Sequence, residues 1–180
     1  MTSSSTQLRN ELEYQQLRVL LLICDVSSLP GATGSVDSLT KLAKLDFIAR
    51  YPDTADTISA ALDGTHLLES PTVEAKLERP MIRHRFGPWD DTYYPVVGAL
   101  VGRGLIRYRR GPRNSVVMQP TPAGKKLAEK VSASDNWGVV AAMYSEVARR
   151  FGNRSGNQLK DAIYAALPNA MDVAHRTELN

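Results

Sequence analysis

The chain has 180 residues, of which 43% are hydrophobic and 23% charged, with a formal net charge of +3. That is enough apolar material to bury a real core as one domain or one domain with appendages, as an ordinary soluble protein would. The longest strongly apolar run, Val19–Cys24, is far below the ~20 residues of a membrane span. No basic-then-apolar leader precedes it, so a cytoplasmic protein is expected.

Met1–Thr6 is a polar Ser/Thr tail, expected to be disordered. From Leu8 to Val26 apolar residues recur near the helical period, and the unbroken run through Leu22 predicts burial on more than one face. Cys24, the single cysteine, reads as a small buried hydrophobe. Ser27–Gly34 is a Ser/Pro/Gly loop, after which Ser35 or Asp37 caps a helix that runs to Tyr51-Pro52. Pro52 opens a third helix, closed at Gly64. A short helix is expected over Thr72–Glu78, then an extended strand, Met81–Phe86, a candidate third member of the sheet that follows. His66, His84 and His175 are not at ligand spacing, so no metal site is expected.

The stretch from Gly87 to Lys130 is the most informative. Asp91 or Thr92 can cap a helix in which Pro95 falls within the first turn, where a missing N–H costs little. Val97, Leu100 and Val101 give it an apolar stripe, and Gly104 can supply the left-handed residue that ends it. Ile106 and Tyr108 alternate with Arg107 and Arg109, the period of a half-buried strand. Gly111-Pro112-Arg113-Asn114 is turn chemistry, Ser115–Gln119 a return strand, and Thr121 with Pro122 a new helix start. Helix, basic hairpin, helix is the order of a winged helix-turn-helix; any hairpin between helices is the plainer alternative.

Beyond the hairpin, Trp137, Val140, Ala141, Tyr144, Ala148 and Phe151 share one helical face, and Leu159, Ala162, Ile163, Ala166 and Leu167 another. The expectation is an α+β, mainly α protein: a disordered tail (1–7), a winged-helix domain (8–131), a C-terminal helical pair (132–168) and a flexible tail (169–180).

Charge is unevenly spread. Between Arg79 and Lys130 eleven Lys and Arg stand against three Asp and Glu, a net of +8, which leaves −5 for the rest of a chain whose total is +3. Such a patch is the footprint of phosphate contact, and the residues expected to make it are Arg83, Arg85, Arg107, Arg109, Arg110 and Arg113, with Lys125 and Lys126 behind them. The plainer alternative is a solvated hairpin, or one that meets acids on a partner protein. The helix over Thr92–Gly102 is almost wholly apolar or small, which argues against direct base readout in the major groove. No Gly-rich phosphate loop, nucleophile elbow or carboxylate–histidine constellation occurs, so neither catalysis nor a cofactor is expected.

Four segments carry a family resemblance. Leu39-Thr40-Lys41-Leu42-Ala43-Lys44-Leu45-Asp46-Phe47-Ile48-Ala49-Arg50-Tyr51-Pro52 and Arg85-Phe86-Gly87-Pro88-Trp89-Asp90, followed by Gly102-Arg103-Gly104-Leu105-Ile106 and Thr121-Pro122-Ala123-Gly124, resemble the middle components of bacterial three-component ABC-ATPase systems. These include the small subunit of Lamassu-type anti-phage defence. The likeness spans roughly residues 35–130. It implies a non-catalytic subunit of a DNA-sensing complex, beside an SMC-like ABC ATPase and a nuclease-type effector that it helps to hold in check, with double-stranded DNA as a further partner and no membrane. Leu42, Phe47, Phe86, Trp89 and Tyr93 are the candidates for protein docking, with buried core as the alternative for each. The rival reading is a free-standing homodimeric winged-helix transcription regulator.

Overall fold

The computed structural model describes residues 12–64, 81–85, 87–171 and 174–179. It is an α+β fold, mainly helical. In chain order it runs α1 (Leu12–Ser27), α2 (Leu39–Arg50), α3 (Pro52–Asp63), β1 (Met81–His84), β2 (Gly87–Trp89), α4 (Tyr93–Gly102), β3 (Ile106–Arg110), β4 (Val116–Pro120), α5 (Pro122–Ser132), α6 (Gly138–Phe151), α7 (Gly156–Ala166), α8 (Pro168–Met171) and β5 (Glu178–Leu179). The disordered tail expected over 1–7, the helix over Thr72–Glu78 and Phe86 lie outside the described residues.

Two helices form the centre. In α1 the run Val19–Cys24 is buried together with Gln15, Gln16 and Arg18, so the expected burial on more than one face is present. In α2 every residue except Thr40 is buried, including Lys41, Lys44, Asp46 and Arg50. Ser38 caps α2, its side chain accepting from the Lys41 amide at 3.1 Å; Ser35 and Asp37, the two expected caps, sit too early in the chain to reach that amide. Pro52 occupies the first position of α3, and Gly64 ends it at φ +68°, a left-handed conformation that glycine adopts without strain.

The amphipathic pair α6 and α7 closes onto this centre. Ala141, Tyr144, Val147, Ala148 and Phe151 of α6 and Leu159, Ala162 and Ile163 of α7 are buried in the same hydrophobic cluster as α1 and α2. Ser155 and Gln158 form a reciprocal capping box at the start of α7, which fixes two otherwise orphan amides.

Two small sheets flank the helices. In the first, β1 pairs antiparallel with β2 (Ile82 opposite Trp89) and with β5 (Met81 opposite Leu179). The Tyr51 hydroxyl bridges both strands, accepting from the Met81 amide at 3.1 Å and donating to the Leu179 carbonyl at 3.2 Å. Two expectations are thereby corrected. The Met81 strand belongs to this sheet and not to the basic hairpin, and the C-terminal stretch, expected to fray, carries an ordered edge because Leu179 is apolar and buried against β1.

The second sheet is the β3–β4 hairpin, in register from Ile106 opposite Pro120 to Arg110 opposite Val116. Its third member is a one-residue bridge: Val36 exchanges both backbone hydrogen bonds with Met118, at 2.8 and 2.9 Å. Gly104, at φ +69°, ends α4 and turns the chain into β3, as expected. The side chain of Thr121 caps α5 and also donates to the Gly104 carbonyl at 2.7 Å. A Cβ on Gly124 would lie 2.0 Å from the Leu105 carbonyl oxygen, so glycine is what lets α5 press against the foot of the hairpin.

Candidate nucleic-acid interface

The two strands of the hairpin differ in exposure: β4 buries Val117, Met118 and Pro120, whereas β3 is exposed beyond its first residue. Ile106 is buried, but Arg107, Tyr108, Arg109 and Arg110 are exposed. The half-buried alternation expected from Ile106 and Tyr108 therefore fails at Tyr108, which is 59% exposed on the outer strand although its partner Met118 on β4 is fully buried. At the tip, Arg113 and Asn114 both adopt left-handed backbone, φ +54° and +60°. This is routine for Asn and uncommon for Arg. The turn is closed by the Gly111 amide donating to the Ser115 carbonyl at 2.8 Å.

Arg107, Arg109, Arg110 and Arg113 are thus gathered on the exposed strand and tip of one hairpin, and none of them has an acidic partner among the described residues. Lys125 and Lys126 are exposed in the first turns of α5, which follows β4 directly. Arg83 does not join them. It lies half-buried on β1, its guanidinium 5.3 Å above the Tyr164 ring, and it donates to the His84 carbonyl. Arg85 is exposed, but in the turn after β1, on the other sheet. The expectation that these two join the hairpin fails because the strand that carries or precedes them pairs with β2 and β5 instead.

The four docking candidates within the described residues are core. Leu42 is 0%, Phe47 2%, Trp89 6% and Tyr93 1% exposed, so none offers a surface. Phe86 lies outside the described residues.

Around α2 lies a buried charge cluster that was not among the expectations. Asp46 is fully buried in the middle of α2. Its carboxylate meets Arg50 Nε at 3.0 Å and Arg18 Nε at 3.2 Å, and accepts from the phenols of Tyr93 and Tyr144 at 2.6 Å each. Arg50 reaches on to Asp90 at 2.8 Å, and Asp90 in turn accepts from the amide and hydroxyl of Thr92 at 2.9 and 2.6 Å. Asp90, rather than Asp91 or the Thr92 side chain, therefore holds the start of α4. One carboxylate in this way ties together α1, α2, α4 and α6.

The electrostatics follow from the geometry. Burial alone would raise the pKa of Asp46, but the two guanidiniums and two phenols outweigh it and hold the carboxyl below its usual range. Asp90 behaves in the same way, with burial overcome by Arg50 and by the bonds from Thr92. Burial and the neighbouring Asp46 push the Tyr93 phenol well up, so it remains a neutral donor. Acid and bases here are mutually neutralised in a packed interior, an arrangement that fixes helices and offers no reactive group to solvent. The signal was present in the sequence: Arg18 interrupts an apolar run, and Asp46 with Arg50 stands at i, i+4 inside another.

The segments singled out in the sequence meet at joints of the fold. Arg50, from Leu39–Pro52, pairs with Asp90, from Arg85–Asp90; Gly104-Leu105 receives the bond and close approach of Thr121 and Gly124. The exposed positions of α4 are Tyr94, Pro95, Gly98 and Gly102, none of them charged. No helix among the described residues is long and apolar enough to cross a membrane. The chain matches no family model, no curated protein and no solved structure.

Proposed function

We propose that this chain is a non-catalytic winged-helix subunit that grips the backbone of double-stranded DNA through its hairpin and works within an ABC-type ATPase complex. In this reading α1, the Val36 strand, α2, α4 and the β3–β4 hairpin are the successive parts of a winged helix. The usual tight turn between its second and third helices is replaced by an insertion that carries α3, β1 and β2. Such a module presents α4 as the helix that would face a groove and the hairpin as the wing.

The observation that carries the proposal is the set of four exposed hairpin arginines without acidic partners, beside a facing helix that has no charged side chain. Cations without base-reading neighbours are suited to phosphate contact, which is sequence-independent. The same observation disfavours a free-standing regulator, which needs hydrogen-bonding side chains on its recognition helix.

The resemblance of the Leu39–Pro52 and Arg85–Asp90 segments to middle components of three-component ABC-ATPase systems supports the rest. There the partners are an SMC-like ATPase and a nuclease-type effector, and the protein is an anti-phage defence subunit of the cytoplasm. Co-expression with the ATPase encoded alongside it, followed by affinity capture and sizing, tests this part; the expected result is a stable complex. A chain that elutes alone and footprints one DNA sequence would instead be the regulator.

A further inference from the structure

The hydrogen bonds of the hairpin leave one edge of its sheet open. Met118 spends both its N–H and its C=O on Val36, and Tyr108 is the residue opposite Met118. The Tyr108–Met118 pair is therefore a non-hydrogen-bonded one, and the N–H and C=O of Tyr108 point away from β4, as antiparallel geometry requires. By the same alternation the outward groups of Ile106 and Arg110 lie on that edge. No strand among the described residues pairs with it. At its foot lies an open, mainly apolar groove lined by Val101, Ile106, Tyr108, Pro122 and Ala123, with Arg107 and Thr121 at its polar side.

We propose that the free edge of β3 is a strand-addition site for an extended protein segment that alternates apolar and acidic residues. An added strand takes its affinity from main-chain hydrogen bonds and its specificity from alternate side chains. On one face its side chains meet the groove, Ile106 and Tyr108, with Arg110 beyond them toward the tip; on the other they meet Arg107 and Arg109. Apolar residues suit the first face and carboxylates the second. A second copy of this chain is the wrong occupant, because pairing β3 with itself brings Arg107, Arg109 and Arg110 against their own kind, which destabilises a sheet. Arginines that blunt self-pairing thus select a partner of opposite charge. This inference does not depend on DNA binding, since it uses the edge of the strand and not the cations alone.

The test uses the full chain and a fluorescent octapeptide of alternating Glu and Val, followed by anisotropy at physiological ionic strength. Two further peptides carry backbone N-methyl groups at every Val or at every Glu. Saturable binding is expected, with one methylated series abolishing it and the other sparing it, because only every second amide faces β3. Tyr108→Pro removes an N–H that β4 does not use, and should weaken binding about tenfold, the equivalent of one or two backbone hydrogen bonds. If that variant fails to fold, the methylated pair decides alone on the wild type. Absent binding, or equal binding of both methylated series, would overturn the proposal. So would a wild-type dimer in sedimentation that Tyr108→Pro dissolves, which would give the edge to a second copy. Loss of random-duplex binding in Tyr108→Pro, to the same degree as loss of peptide, would give it to DNA.

Discussion

Replacing Asp46 with Asn keeps the shape of the side chain and removes the carboxylate that Arg18 and Arg50 share, while Arg50 keeps its bond to Asp90. Both guanidiniums are essentially buried, 1% and 2% exposed, so neither can turn to water. Removing one partner of a buried ion pair costs about 3–5 kcal/mol, because the remaining charge is left desolvated. For a chain of this length each kcal/mol lowers the melting temperature by about 2–4 °C, so the expected fall is roughly 6–20 °C. Tyr144→Phe, which removes one bond to the same carboxylate, should cost less, about 1.5–3 kcal/mol. The acid limb gives an independent reading. Asp46 and Asp90 titrate below their ordinary range when folded, so the stability they contribute is present above a pH of about 4 and is lost as pH falls through their folded values. Urea melts across that range should show a steep acid loss in the wild type and a shallower one in Asp46→Asn. A variant within about 1 kcal/mol of wild type, with an unchanged acid limb, would refute the claim that this carboxylate holds the helices in place.

Gly124→Ala places a methyl against the Leu105 carbonyl and should cost about 2–3 kcal/mol, since backbone has to shift; a thermal melt measures it, and hydrogen exchange should show the loss centred on β3 and α5. Burial raises the pKa of Asp25 to about 6. Its contribution to stability is full below its unfolded value and is lost as pH rises through about 6. Asp25→Asn should therefore flatten stability between roughly pH 4 and 6 and stabilise the protein at pH 7 by about 1 kcal/mol, a figure discounted for partial solvent screening. Burial pushes the Cys24 thiol up to about 12, so it should resist thiol reagents at pH 8 in the native protein and react promptly once unfolded; rapid native labelling would contradict its burial.

The helices were legible where local chemistry specifies them. Pro52 and Gly64 bound α3, Gly104 ends α4 and Thr121 starts α5, each through a constraint that acts within a few residues. The hairpin was legible for the same reason, because alternation and turn residues are local. What failed was pairing at a distance. Met81–His84 joins β2 and a strand nearly a hundred residues away, and nothing in four residues of strand encodes that choice. The hairpin's third member was missed because Val36 contributes a single bridge, too short to leave a pattern. The docking candidates were misplaced because aromatic and aliphatic residues look alike in core and interface, and only the fold shows that α2 is enclosed on all sides. The Asp46 cluster combines both difficulties: its charges are visible in the sequence, but their partners lie 28, 47 and 98 positions away.

The salt dependence of duplex binding tests most directly whether the hairpin grips the phosphate backbone. Anisotropy titrations of the wild type and of Arg109→Glu/Arg110→Glu on a random-sequence duplex, over a range of ionic strengths, give the slope of log affinity against log salt. With Arg107, Arg109, Arg110 and Arg113 each displacing about one counterion, the wild-type slope should be roughly −3 to −4, and the double variant should lose about 2 of it. A flat wild-type slope, or an equally steep one in the variant, would contradict phosphate contact by the hairpin.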